Sequence, residues 1–380
     1  MTVRVNKPEF NLREKLTELE RPIGLKGSEL MRAEATQEAR DLVSAGRKNM
    51  VINGDLRIWQ RSTSATINTS VNAVHQTADR WNDWHSTSGA VTESQSTDVP
   101  VGSGFYYSLK HEVTSTDADM GTGQYHAHKY DIEGYDVAHL MWGTSQAKPI
   151  TVSFWAKSSV IGDYGFCIRP GSTNDRFYVD AITISQANTW KKYSFTIHGC
   201  TDGTWSKTNT SGMQVQISHS MGTSYQTSTL KQWINTIDVS PTSQVTNWMS
   251  TVGNTWYITG LQVEVGKTAT DFEHRPYGEE LALCQRYYEK LENVTIQISA
   301  IWSNGDVKVP MFYKVTKRAT PTVTNSGGTF VNYDADGGWA TNTPSILFIS
   351  PTSCVISSNN GGAQNTLNVN GVDFLINAEL

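Results

Sequence analysis

Residues 255–291 read TWYITGLQVEVGKTATDFEHRPYGEELALCQRYYEKL, and the class of the fold turns on them. Trp256 to Val265 is rich in β-branched and aromatic side chains, a strand pattern. Beyond Pro276 the period changes. Glu279 and Glu280 stand in a first turn, where acidic groups suit a helix N-terminus, and Leu281, Cys284, Tyr288 and Leu291 follow at helical spacing. The spacing predicts a connector helix over 278–292 between two β regions.

Upstream, short β-branched or alternating runs recur between Gly, Ser, Thr, Asn and Asp turns. They are Met50 to Ile52, Leu56 to Gln60, Tyr106 to Val113, Ile150 to Ala156, Gly165 to Ile168, Phe177 to Ile184, Lys192 to Ile197 and Met213 to Ser218. So many short strands with irregular loops predict an antiparallel jelly-roll sandwich over 47–277. Downstream, Val294 to Ile301, Val307 to Lys314, Thr320 to Thr324, Ile346 to Ile349, Cys354 to Ser357, Thr366 to Val369 and Val372 to Ile376 predict a smaller C-terminal β domain over 293–380. No repeat of fixed period is present, which argues against a propeller or β-helix.

The first 46 residues differ. Leu12, Leu16, Leu19 and Ile23 form a helical apolar stripe, Pro22, Gly24 and Gly27 break it, and Ser28 caps a second helical run. Two such helices are too short to stand alone in water. Residues 1–46 are therefore either a lid on the chain's own sandwich or a short helical N-terminal arm for oligomerisation and attachment to a partner.

Composition narrows the function. Charged residues make up 18% of the 380, below the roughly 25% of an average domain, so hydroxyl and amide side chains must build the surface. The net charge of −5 argues against nucleic-acid binding, which needs a basic face. No run approaches about 18 apolar residues, so no membrane insertion is expected. The opening MTVRVNKPEFNLREK lacks the apolar run of a signal peptide. Cys167, Cys200, Cys284 and Cys354 have no CxxC or zinc spacing and read as reduced thiols of a protein made in a cytoplasm.

Phosphate-loop, dinucleotide, nucleophile-elbow and zinc-protease motifs are absent, and no local motif proposes the acid pair of a glycosidase, so the chain is not expected to be an enzyme. His126-Ala127-His128 would set two imidazoles on one face of a strand, a metal pair to which His111, Asp131 or His139 would add a third ligand. The alternative is two surface or loop histidines. Asp117, Asp119 and Asp131 lack the spacing of a calcium loop. Tyr125, Tyr130, Tyr135, Trp142, Trp205 and Tyr225 lie in polar, Gly-rich surroundings, where flat rings can face the C–H side of a sugar. Tyr125, Tyr130, Trp142 and Trp205 are the candidate carbohydrate-binding residues. Trp59, Trp81, Phe154, Trp155, Trp190 and Trp256 lie within or beside strand-like runs and are assigned to the core.

Three stretches carry a resemblance. RKNMVINGDLRIWQR (47–61) with Ala78-Asp79-Arg80-Trp81 is similar to the opening of sandwich domains in tailed-bacteriophage virion proteins, and 255–291 is similar to their closing strand and exit helix. Residues 11–49 resemble leader segments of structural proteins from marine, cyanophage-like podoviruses. The middle of the chain resembles carbohydrate-binding-module jelly rolls, with Thr151 to Lys157 as a central strand and Trp190 to Phe195 as its partner.

The resemblance implies a virion structural protein, a tail fibre or receptor-binding component. It would attach through Leu12, Leu16, Leu19 and Ile23 to other virion proteins (a tail adaptor or nozzle, or the capsid) and contact host cell-surface glycan. The alternative is a capsid-attached fibre or decoration protein with an architectural or adhesive role. A homotrimer carried on the extracellular particle, made in the host cytoplasm, is implied. So is a structural calcium near the first strand, at the Asn53-Gly54-Asp55 turn and Glu264; no other cofactor is implied.

Overall fold

Alternation along 150–158 sets the centre of the fold. Ile150, Val152, Phe154 and Ala156 turn into the core, whereas Trp155 between them stays half-buried on the other face. The computed structural model describes residues 47–68, 71–244, 248–300, 306–333, 339–341, 344–359 and 365–380. The stripe Leu12, Leu16, Leu19 and Ile23 lies outside them.

In chain order the strands are β1 (Ser64–Ile67), β2 (Val71–Val74), β3 (Trp81–Ser86), β4 (Ala90–Ser96), β5 (Ser108–Ser115), β6 (Tyr125–Glu133), β7 (Ile150–Ser158), β8 (Gly162–Arg169), β9 (Phe177–Ile184), β10 (Lys191–Ile197), β11 (Ser211–Met221), β12 (Gln226–Thr227), β13 (Trp233–Ile234), β14 (Ser240–Pro241) and β15 (Thr255–Val265). After them come β16 (Tyr288–Ala300), β17 (Asp306–Phe312), β18 (Thr322–Ser326), β19 (Thr329–Tyr333), β20 (Trp339–Thr341), β21 (Ser345–Leu347), β22 (Ser353–Asn359) and β23 (Asn365–Asn377). Among the described residues the α-helices are α1 (Gly134–Val137) and α2 (Tyr277–Gln285).

Two antiparallel sheets form the jelly-roll sandwich, ordered β1-β4-β5-β15-β7-β10 and β13-β9-β8-β11-β6-β3-β2. Their inner faces meet in one core, where Phe166 of the second sheet stacks on Phe195 of the first at 4.2 Å. β12 and β14 add a small parallel pair. Beyond α2, a five-stranded and a three-stranded sheet enclose a second core that includes Val309, Phe330, Ile356, Val369 and Phe374. Among the described residues, no helix is long and apolar enough to cross a membrane.

Several elements differ from the sequence expectation. The connector helix ends at Gln285 rather than 292, and Tyr288 begins a 13-residue strand. Leu281 and Cys284 use the helical spacing to pack beside Ile52, Ile58 and Tyr287. Tyr288 and Leu291 instead join the ladder opposite Asn377 and Phe374, because pairing with β23 outweighs a marginal helix period. The runs 366–369 and 372–376 are one strand, continuous through Gly371 at φ +65°. Met50 to Ile52 and Leu56 to Gln60 are irregular chain rather than strands. β3 and β6 have no apolar alternation to betray them, because polar side chains occupy inward positions on both.

The stretches 47–61, 78–81 and 273–280 converge on one polar latch. Asn53, at φ +57°, accepts the Ile58 N–H through its side chain and donates to the Ile58 and Asp79 carbonyls at 2.8 and 3.0 Å. Its own N–H donates to Glu280. Arg275 donates to the carbonyls of Val51 and Asn49. Gly54 lies so close to β15 that a Cβ would stand 2.1 Å from the Leu261 carbonyl oxygen. The Arg80 guanidinium is buried. It donates to Glu379 and to the Asp131 carbonyl and lies 3.6 Å over the Tyr287 ring. Arg61 reaches the other Glu379 oxygen at 3.1 Å.

Burial alone would raise the Glu379 carboxyl; the charges of His75, Arg80 and Arg61 override it and hold the group at about 2, below its ordinary 4.5. A carboxylate so depressed adds stability above its unfolded value, and that stability is lost as pH falls from about 5 toward 2. Glu379→Gln leaves Arg80 buried without its counter-charge and should cost about 3 kcal/mol at pH 7. In urea titrations the gap between wild type and variant should close between pH 5 and 2. A gap that is constant across that range would contradict the assignment.

Candidate functional site

The aromatic candidates do not form one exposed platform. Tyr130 points into the sandwich, where its hydroxyl accepts the Ile52 N–H and donates to the Ile52 carbonyl, both at 2.7 Å. Trp142 and Trp205 are almost fully buried, pack edge-on at 4.6 Å, and spend their indole N–H groups on the carbonyls of Lys148 and Asp202. Tyr125 is half-buried on the outer face of the second sheet, stacked on Trp84 at 3.8 Å with Tyr225 edge-on to both.

A concave surface does exist, on the outer face of the first sheet. A cleft of about 270 Å³ is lined by Ser103, Phe105, Ser153, Trp155, Lys192, Gly260, Asp271, Phe272 and His274. Trp155 was assigned to the core by its strand. It cannot share the inner face with Phe154, because neighbours in a strand point opposite ways. Trp155 stands opposite Lys192 of β10 in the ladder. Phe105, Phe272 and His274 close one side as mutually edge-on or tilted rings 4.9–5.6 Å apart. Gly260 makes room for them: it has φ +68°, and a Cβ there would meet the Phe105 ring at 2.4 Å. It sits in the register shift between Thr259 and Gln262 that bends β15. Trp190, also assigned to the core, is instead half-buried. Its N–H is bonded to Asp98 at 2.8 Å, and the Lys157 ammonium lies 5.2 Å from its ring.

The second unusual place is the sandwich interior. His126 and His128 share the inner face of β6 with Tyr130, and of the three proposed third ligands only His111 joins them. Asp131 is bonded by Asn82, Ser211 and Gln214, and His139 lies in the turn after α1. The sequence reading missed His85, His219, Asp83 and Glu93, which complete the group. Leu109-x-His111-x-Val113 and Val215-x-Ile217-x-His219 place a histidine at an apolar inward position of each strand, the signal available in the sequence.

The distances within the group are short. His111 Nδ1 faces His219 Nδ1 at 3.3 Å, and its Nε2 meets Glu93 at 2.9 Å and Asp83 at 3.6 Å. His85 and His126 meet through their Nδ1 atoms at 3.1 Å. Thr77 donates to Glu93. Burial, reinforced by the neighbouring imidazoles, holds His126, His128 and His219 neutral, well below their ordinary range. It raises the carboxyl of Glu93 to about 7 and that of Asp83, which also faces Glu93, well above the usual range.

At the turn proposed for calcium, Asp55 is paired with Arg57 at 2.5 Å. Glu264 accepts from Gln262, the Thr270 N–H and the Thr270 hydroxyl at 2.7–2.9 Å, so protein donors already engage both carboxylates. Asp117 accepts from Ser88 and Gln124, while Asp119 is exposed.

No family model matches the chain, and no curated protein matches it. Solved structures with a similar arrangement of strands include the enzymatically active domain of tailspike protein 4 from bacteriophage CBA120, at 15% identity and TM-score 0.31 over 57% of this chain. The match spans 21% of that tailspike chain. A xylan-binding family 22 carbohydrate-binding module from Paenibacillus barcinonensis aligns at 9% identity and TM-score 0.26, over 55% of this chain and 99% of its own. The family 11 module of a cellulosomal cellulase of Clostridium thermocellum aligns at 11% identity and TM-score 0.28, over 57% and 99%.

Tyr130→Phe should lower stability by about 1–3 kcal/mol, because it strands the buried Ile52 N–H and weakens the contact with its carbonyl. Glycan binding by the folded variant should be unchanged. Reduced glycan binding with unaltered stability would restore Tyr130 to a binding role.

Proposed function

We propose that this chain is a non-catalytic, glycan-binding virion protein of a tailed bacteriophage, a tail fibre or receptor-binding component attached through residues 1–46. The cleft around Trp155 is the observation that carries the reading. It combines a concave shape, a flat indole, and hydroxyl, ammonium and carboxylate groups from Ser103, Ser153, Lys192 and Asp271. Few polar groups converging beside aromatic walls is the usual make-up of a small-ligand site. An indole faces the C–H side of a sugar ring while the flanking groups bond its hydroxyls. A surface low in charge and rich in hydroxyl and amide side chains suits an extracellular particle, and the resemblance of residues 11–61 and 255–291 to virion proteins supports the location.

One such cleft holds a sugar weakly. Useful adhesion then comes from several linked copies, which gain orders of magnitude by avidity, and the homotrimer displayed on a particle supplies them. The full chain, screened against a panel of bacterial surface polysaccharides, should bind at least one. Trp155→Ala should weaken that binding about tenfold, roughly 1.4 kcal/mol, with the circular dichroism unchanged. Unaltered affinity in that variant would move the contact elsewhere and leave the capsid-attached, architectural reading in its place. Removal of residues 1–46 should abolish incorporation into particles while the remaining chain still folds; normal incorporation would refute attachment through the leader.

A further inference from the structure

Four buried ring nitrogens in the sandwich interior have no hydrogen-bond partner: His126 Nε2, both of His128 and His219 Nε2. All three residues are buried. Polar atoms in a native core are almost always paired, so four together call for an explanation. A metal ion bound within the cluster takes up the lone pair at His126 Nε2.

We propose that the sandwich interior binds one divalent transition-metal ion of the zinc class, held by His111 from the first sheet and by His126 and His219 from the second. One nitrogen from each of the three lies within 4.8 Å of the others. Two nitrogens on a tetrahedral zinc, each at about 2.0–2.1 Å, stand about 3.3–3.4 Å apart. His111 Nδ1 and His219 Nδ1 are 3.3 Å apart.

The surrounding bonds set the tautomers that ligation needs. Glu93 lies 2.9 Å from His111 Nε2 and takes that N–H, which leaves the Nδ1 lone pair facing His219. Thr87 lies 3.2 Å from His85 Nε2, and His85 Nδ1 lies 3.1 Å from His126 Nδ1. With the proton on His126 Nδ1, its remaining lone pair is at Nε2, one of the unpartnered atoms. A carboxylate holding the far side of a ligating imidazole is the usual second layer of a metal site. Trp248 stacks on His126 at 5.6 Å, and Trp256 and Trp81 wall His219 and His128, so the site is shut from water. Nitrogen donors select against calcium and magnesium, which take oxygen.

The ion would tie the two sheets together. Cys167, Cys200, Cys284 and Cys354 are free, so no disulfide among them does so. A site closed on all sides takes up its metal as the chain folds.

The test uses the full chain without a histidine tag, expressed in zinc-supplemented medium. Elemental analysis should find about one zinc per chain. The protein is then unfolded with chelator, freed of it, and refolded with cobalt(II), with zinc, or without metal. Cobalt should give the intense visible ligand-field bands of a tetrahedral nitrogen site. The zinc-refolded protein should melt about 4 °C or more above the metal-free one. His126→Gln and His219→Gln should each lose the stoichiometric metal. Fewer than about one ion in ten chains, together with a spectroscopically silent cobalt refold of natively folded wild type, overturns the proposal. Full zinc retention by folded His126→Gln and His219→Gln variants also overturns it. Should the variants fail to fold, the wild-type cobalt spectrum and melting shift decide by themselves.

Discussion

A guanidinium taken out of water keeps its charge and must find its counter-charge inside the protein, and Arg80 meets that demand with a carboxylate 299 residues away in sequence. Arg80 enters the sandwich just before β3, crosses to the Asp131 carbonyl of β6, lies over Tyr287 beyond the connector helix, and ends on Glu379 after the last strand. β3, β6, the segment after the connector helix and the end of the chain are thereby tied to one buried charge. Arg80, with Arg61 and with Arg318 holding the Ala378 and Glu379 carbonyls, joins the sandwich to the C-terminal end of the chain.

That latch accounts for much of the polar character of the stretches 47–61 and 273–280. Asn53, Asp79, Arg275 and Glu280 are buried polar groups answering one another across the seam where the sandwich closes. Their value is directional: hydrogen bonds to carbonyls of irregular backbone hold 49–54 against β15, which apolar packing alone would leave free to slide.

The two sites divide the sandwich between its faces. Outside, the bend of β15 at Gly260 admits Phe105 and hollows the first sheet beside Trp155. Inside, β3, β4, β5, β6 and β11 turn Asp83, His85, Glu93, His111, His126, His128 and His219 into the layer normally filled by Val, Ile and Leu. The first arrangement opens to solvent. The second is enclosed by indoles.

Local pattern alone determined a good deal. Low charge, turn-rich texture and β-branched runs led to an antiparallel sandwich, and β9 and β10 follow their predicted runs closely. The pairing of His126 with His128 was also readable, since a strand repeats every two residues. Long-range pairing decided the rest. Partner strand β23 turned 288–292 from helix to strand. Polar inward positions hid β3 and β6 from any hydrophobic pattern. Tyr130 turned inward with the register of β6, and Trp142 and Trp205 spent their N–H groups on carbonyls of other residues. That His85, Glu93, His111 and His219 converge on the same few ångströms depended on register between strands far apart in sequence, which no window of neighbouring residues contains.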